Sequence, residues 1–201
     1  TGVDCGGSSC GACQGNFCSS NQECSIGLIC QNGKCEEVTR ITYFDKQSGA
    51  VGNYVTISGY KFGAQTGKVY MKDASGQWNI EAKLANCGPY TWTNNQIIII
   101  VPPGAASATP IKVETATTTI GSQEVKFIDT TDTSTPPIPN YPPVLPNFEI
   151  TSEKAPGLCY VQPTSGSIGS DVLLVGKDFG ITAGIDGKVV FGPFTAPGDR
   201  A

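Results

Sequence analysis

The chain has no histidine and one methionine, and only 15% of its 201 residues carry charge. The missing histidine removes the commonest general base and the commonest metal ligand at neutral pH. It excludes Ser-His-Asp and Cys-His catalysis, and zinc sites that need imidazole. Lys and Arg number 13 against 17 Asp and Glu, a net charge of −4, so the basic stripe that nucleic acid requires is missing. The longest apolar run, Ile97–Val101, is too short to span a membrane as a helix. No N-x-S/T triplet occurs. N-glycosylation is therefore not expected, which suits a microbial surface protein better than an animal receptor. Position 1 is Thr and no signal peptide is visible. The expectation is a mature secreted form whose signal was removed, or a trimmed fragment.

Cysteine, glycine and proline are plentiful. Seven of the nine cysteines fall in the first 35 residues: Cys5, Cys10, Cys13, Cys18, Cys24, Cys30 and Cys35. Such density reads as a disulfide framework formed in an oxidising compartment. Residues 1–37 are too few to bury a self-sufficient core, so cross-links substitute for one. The 25 glycines and 14 prolines, with no long helix-forming run, point to an all-β chain rich in turns.

An internal repeat organises the rest of the chain. VGNYVTISGYKFG at 51–63 returns as IGSDVLLVGKDFG at 168–180, offset by 117 residues without a gap. Its physical content is an alternating strand followed by a glycine turn that lodges one Phe, at Phe62 and again at Phe179. Around the first copy, residues 38–129 carry seven short strand patterns: Arg40–Phe44, Tyr54–Ser58, Lys68–Lys72, Trp78–Leu84, Gln96–Val101, Ile111–Thr115 and Glu124–Ile128. Turn signals separate them, as in a β-sandwich.

Two resemblances attach to these residues. Cys18–Cys35, CSSNQECSIGLICQNGKC, is similar to the small cysteine-rich modules of secreted proteins, broadly EGF-like or dickkopf-like. Gly49-Ala-Val-Gly52, VTISGYKFG at 55–63, Gly67-Lys68-Val69, Trp92 with Ile97–Ile100, and Val101-Pro102 together resemble the IPT/TIG immunoglobulin-like domains. That resemblance implies an immunoglobulin-like β-sandwich, a cell-surface setting, and Trp92 packed in the sandwich core. It does not fix a function, because the fold carries many.

Residues 130–156 read as a linker. Six of the eleven residues from Pro136 to Pro146 are proline, which predicts an extended spacer holding two bodies apart. Residues 157–201 read as an incomplete second IPT/TIG-like sandwich, in which Gly187-Lys188-Val189 matches Gly67-Lys68-Val69. On that reading Val172, Leu174, Val189 and Phe191 lack a facing layer. Either the polypeptide continues or another chain adds strands. Eight cysteines lie at or before Cys87, and Cys159 stands apart. The expectation is that Cys159 pairs beyond residue 201 and that Cys87 reaches back to Cys35. The remaining six would then make three bridges with fifteen connectivities open.

Each candidate for chemistry has a structural counterpart. Cys10-Gly-Ala-Cys13 is a CxxC, but without a second CxxC or a βαβ context it reads as disulfide. Gly63–Val69 falls one residue short of a phosphate loop and lies between strands. Asp129, Asp132, Asp171, Asp178 and Asp186 form no dense calcium loop, so they read as solvated carboxylates, with weak calcium binding the alternative. Trp78 and Tyr90 are candidate glycan-binding aromatics. The run QIIIIV at 96–101 reads as a buried strand covered on both faces and stopped by Pro102-Pro103.

The sequence therefore predicts a non-enzymatic, extracellular structural or adhesive protein without a cofactor. It would serve as a stalk, fibre or surface-layer component, built of repeats that polymerise by strand addition. Its partners would be other surface-protein subunits or the continuation of the same chain, with no nucleic acid and no membrane span. The alternative is a glycan-binding accessory region of a larger carbohydrate-active protein.

Overall fold

A computed structural model describes residues 11–25, 28–37, 39–119, 122–129 and 145–180, with the side chains of 117–129 left aside. The expectations for Cys5, Cys10, Asp132, Asp186, Val189, Phe191 and most of the Pro-rich stretch lie outside the described residues.

The N-terminal module is one antiparallel hairpin, β1 (Leu28–Gln31) and β2 (Lys34–Glu37), under a short 3-10 turn at Asn21–Glu23. Two disulfides hold it, Cys18–Cys30 and Cys24–Cys35, and Cys13 is also disulfide-bonded. Its apolar centre is little more than Cys24, Leu28 and Cys35. Closing loops of 12 and 11 residues contributes about 3 kcal/mol per bridge on a chain-entropy account. The cross-links thus supply what so small a core cannot.

The central unit is a β-sandwich. One layer is β3 (Arg40–Phe44), β5 (Tyr54–Tyr60) and β8 (Gln96–Ile100), in the order β3-β5-β8. The facing layer runs β11-β10-β6-β7, from β6 (Lys68–Met71), β7 (Ile80–Ala82), β10 (Ile111–Thr119) and β11 (Ser122–Asp129). All of these pairings are antiparallel. Alternation along each strand delivers one face to the core, as the two-residue period requires. Val55 and Ile57, Ile97 and Ile99, Val69 and Met71, and Ile111 and Val113 are all fully buried there. Phe62 is also fully buried, with Trp92 packed against it at 6.4 Å between ring centroids.

A third small sheet changes the limits of this unit. β12 (Phe148–Thr151) runs parallel to β4 (Ser48–Ala50) and antiparallel to β9 (Ala108–Thr109). Phe148 is fully buried in the sandwich core, edge-on to Phe44 at 6.4 Å, and Leu145 is buried beside it. Leu145 and the strand Phe148–Thr151 thus pack on the first sandwich and are not spacer, which corrects the limits of the 130–156 linker. Burying one Phe side chain is worth roughly 1.5–3 kcal/mol. Together with the backbone pairing to β4 and β9, it holds the segment on the sandwich.

The remaining described strands, β13 (Gly157–Gln162) and β14 (Leu173–Lys177), form an antiparallel hairpin. This hairpin is not held away from the sandwich. It packs on the outer face of β5 and β8, where Ala85, Cys87, Ile98 and Cys159 form a second buried cluster with Tyr54, Tyr160 and Val175 at its edge. The expectation of two separated bodies is therefore corrected. The run Ile97–Ile100 is covered on both faces because Ile97 and Ile99 point into the sandwich while Ile98 points at the hairpin cluster.

Candidate functional site

The junction between sandwich and hairpin concentrates the specific contacts of the chain. A disulfide joins Cys87 to Cys159 across it. This overturns the expected pairings of Cys87 with Cys35 and of Cys159 with a partner beyond residue 201. Cys35 is bonded to Cys24 within the N-terminal hairpin. The physical reason is proximity created by docking: Cys87 leads into a 3-10 turn (Gly88–Tyr90) on the sandwich surface, and Cys159 lies mid-strand on the hairpin laid over it. The bridge closes a sequence separation of 72 residues, worth about 4 kcal/mol of unfolded-state entropy on the same account.

Polar groups complete the clamp. Asn53 is fully buried. Its Oδ1 accepts from the backbone N–H of Ala50 at 2.9 Å and of Ala155 at 3.2 Å. Its Nδ2 donates to the Ala155 carbonyl at 3.0 Å and to Asp178 Oδ2 at 3.2 Å. A buried amide with its donors and acceptor engaged costs little and fixes geometry, whereas an unmatched one would be expensive. Lys177 Nζ donates to the Gly52 carbonyl at 3.1 Å and lies 5.6 Å from the Tyr54 ring centroid. Lys46 Nζ donates to the Pro156 carbonyl at 2.6 Å. A side chain at Gly157 would drive its Cβ into the Cβ of Tyr54, so only glycine lets the hairpin approach this closely.

Beside the disulfide, Tyr90 and Tyr160 stack at 4.5 Å between centroids with their planes 29° apart. They form one wall of an open groove of about 570 Å3, which continues past Gln96 and Pro163 to the loop Thr164–Ser170 and Val172. Gln96 Nε2 donates to the Tyr90 carbonyl at 2.9 Å and holds that wall in place. Tyr90 remains 43% exposed, with part of its ring open to solvent.

The other candidates fall elsewhere. Trp78 does not line this groove. Lys72 Nζ and Lys112 Nζ lie 5.0 and 5.1 Å from its ring centroid, so cation–π contacts already occupy the ring. Trp92 is buried in the sandwich core. Gly63–Val69 crosses from β5 to β6, and a Cβ at Gly67 would collide with the Glu114 carbonyl. Asp178 is engaged by Asn53 and Asp171 is exposed. Among the described residues, the cluster with metal-ligand spacing is Cys18, Cys24 and Cys35. All three sulfurs are in disulfides and offer no thiolate.

Asp73, which is not among the sequence candidates, caps its own turn. It accepts from the Ser75 and Gln77 backbone N–H groups at 2.9 and 3.0 Å, from the Ser75 hydroxyl at 2.6 Å and from Asn79 Nδ2 at 2.9 Å. Hydrogen bonds to the charged form hold its pKa down at about 2, led by the Ser75 hydroxyl. The spacing D-x-S-x-Q-x-N at 73–79 is the local signal that could have found it.

The β3-β5-β8 and β11-β10-β6-β7 layers, closed over Trp92 and Phe62, form an immunoglobulin-like sandwich. Residues 38–128 match the IPT/TIG domain. No curated protein matches the chain. An IPT/TIG domain is an immunoglobulin-like, non-catalytic unit. Such a domain, with disulfides before it and one joining it to the hairpin, fits an extracellular protein. No helix among the described residues is long and apolar enough to cross a membrane.

The hairpin lies outside the matched residues, yet its turn repeats the backbone of the sandwich's turn. Lys61 and Asp178 both take left-handed backbone, with φ of 57° and 60°, followed by Gly63 at 84° and Gly180 at 91°. A Cβ on Gly59 would meet the Arg40 carbonyl and the Phe62 ring, and one on Gly176 would meet the Gly157 carbonyl and the Phe179 ring. Phe62 is sealed under Trp92, whereas Phe179 is 46% exposed.

Proposed function

We propose that this stretch is a non-enzymatic structural segment of an extracellular surface protein, a stalk or surface-layer element that transmits force along the chain. The observation that carries this reading is the Cys87–Cys159 bridge. It ties a strand-bearing hairpin covalently to the IPT/TIG sandwich and takes the Pro-rich stretch between them out of the load path. Tension applied at the two ends passes through the bridge and leaves the intervening residues unstretched. The Asn53, Lys46 and Lys177 contacts keep the two bodies in one orientation.

Single-molecule pulling from the two ends tests this. The oxidised chain should lack the extension hidden behind the 72-residue separation, about 260 Å at 3.6 Å per extended residue. Reductant should release it. Equal contour lengths for the oxidised chain and its oxidised Cys87→Ser, Cys159→Ser variant, in which the N-terminal bridges stay closed, would refute the load-bearing role.

A further inference from the structure

We propose that the groove at the sandwich–hairpin junction is a binding site for a neutral glycan chain, with a pyranose ring laid against Tyr90. This goes beyond the load-bearing reading and does not depend on it.

The groove's lining dictates the occupant. Its volume of about 570 Å3 suits a few sugar rings, within the range of ordinary ligand clefts. No Asp, Glu, Lys or Arg lines it, so an anionic or cationic ligand would lose its hydration without a counter-charge. What lines it is an aromatic wall, the apolar side chains of Val161, Pro163 and Val172, and a loop of Ser and Thr residues. The wall is rigid before any ligand arrives, because Tyr160 stacks behind Tyr90 and Gln96 holds the Tyr90 carbonyl. A preorganised platform spares the ligand the cost of ordering it.

The loop supplies the second half of the recognition. Thr164, Ser165, Ser167 and Ser170 line the groove and carry four hydroxyls. Each is a donor and an acceptor, and none is engaged in a hydrogen bond to another described residue. Backbone N–H of Ser170 donates to the Ser167 carbonyl at 3.1 Å, and a Cβ at Gly166 would lie 3.1 Å from that of Ser170, so the loop is tightly folded. A pyranose offers the matching chemistry: a face of C–H bonds for the tyrosine ring and a rim of neutral hydroxyls for the loop. A proline-rich peptide fits less well. Grooves for such peptides set aromatic rings side by side with slots between them, whereas Tyr90 and Tyr160 are closed face to face.

The test is a titration of the isotope-labelled full chain with cellohexaose, xylohexaose, maltohexaose and mannohexaose. A galacturonate hexamer and nonaproline serve as comparisons. The expected result is saturable shifts at the amides of Tyr90, Gln96 and Ser165–Ser170 with at least one neutral hexasaccharide. Tyr90→Ala should weaken that binding by about tenfold or more. The paired change Ser165→Ala with Ser167→Ala should also weaken it while leaving the Cys87–Cys159 bridge formed, and Trp78→Ala should leave it unchanged. No perturbation by any neutral hexasaccharide at millimolar concentration would overturn the proposal. So would shifts at these amides produced by nonaproline or the charged hexamer alone.

Discussion

Replacing Ile98 by alanine probes the junction through a side chain that plays no part in the sandwich core. Ile97, Ile98 and Ile99 are all fully buried, but Ile97 and Ile99 face the sandwich interior while Ile98 faces Ala85, Cys87 and Cys159. On a sandwich without the hairpin, Ile98 would sit on an outer face covered only by the 85–87 segment. Its truncation there would cost within about 0.5 kcal/mol of an ordinary surface change. With the hairpin docked, Ile98→Ala removes three carbons from a closed cluster and should cost about 2–4 kcal/mol, in the range of a core truncation. Ile99→Ala supplies the internal scale, since its burial needs no hairpin. Denaturant unfolding of the oxidised full chain measures both. A double change with Tyr160→Ala should be non-additive, because Tyr160 packs at the edge of the same cluster. An Ile98→Ala loss below about 0.5 kcal/mol beside a large Ile99→Ala loss would refute the docked arrangement.

Local geometry sets two further outcomes. The Asp73 carboxyl should titrate near pH 2 instead of its ordinary 3.8; because the folded value is lowered, the turn 73–79 is held above the ordinary value and loosens as pH falls through the folded one. Carbon-detected titration with the Ser75 and Gln77 amides as reporters checks this, and an unshifted midpoint contradicts it. Gly59→Ala would drive its Cβ into the Arg40 carbonyl and the Phe62 ring; both neighbours are locked, so it should cost about 3 kcal/mol, at the top of the range for overpacking. A thermal midpoint within a degree of the parent would contradict that.

Much of the sandwich is legible in the sequence because its strands alternate cleanly. Arg40–Phe44 appears with the limits its pattern predicts, and Tyr54, Lys68, Gln96 and Ile111 each begin the strands expected of them. The strands that are not legible are the two- to four-residue pieces Ser48–Ala50, Ala108–Thr109 and Phe148–Thr151. A period of two cannot declare itself over so few residues, and the last of them stands behind a proline run that argues for spacer. The junction is hidden for another reason. Ile98 advertises burial, but a sequence pattern does not say what covers a side chain. The cysteine pairing misleads at the same point: reading the two repeats as separate domains sends Cys87 back to Cys35 and Cys159 beyond residue 201, when docking makes Cys87 and Cys159 partners. Tyr90 can be named from sequence as an exposed aromatic, whereas Tyr160 and the Thr164–Ser170 hydroxyls become its neighbours only through that docking.

The docked hairpin stands or falls with the disulfide map of the unreduced protein. Cleavage after lysine should yield residues 84–112, which carry Cys87, joined to residues 155–177, which carry Cys159. This linked pair should hold both cysteines in full and separate on reduction. Recovery of Cys159 as a free thiol, or of Cys87 linked to Cys35, would contradict it.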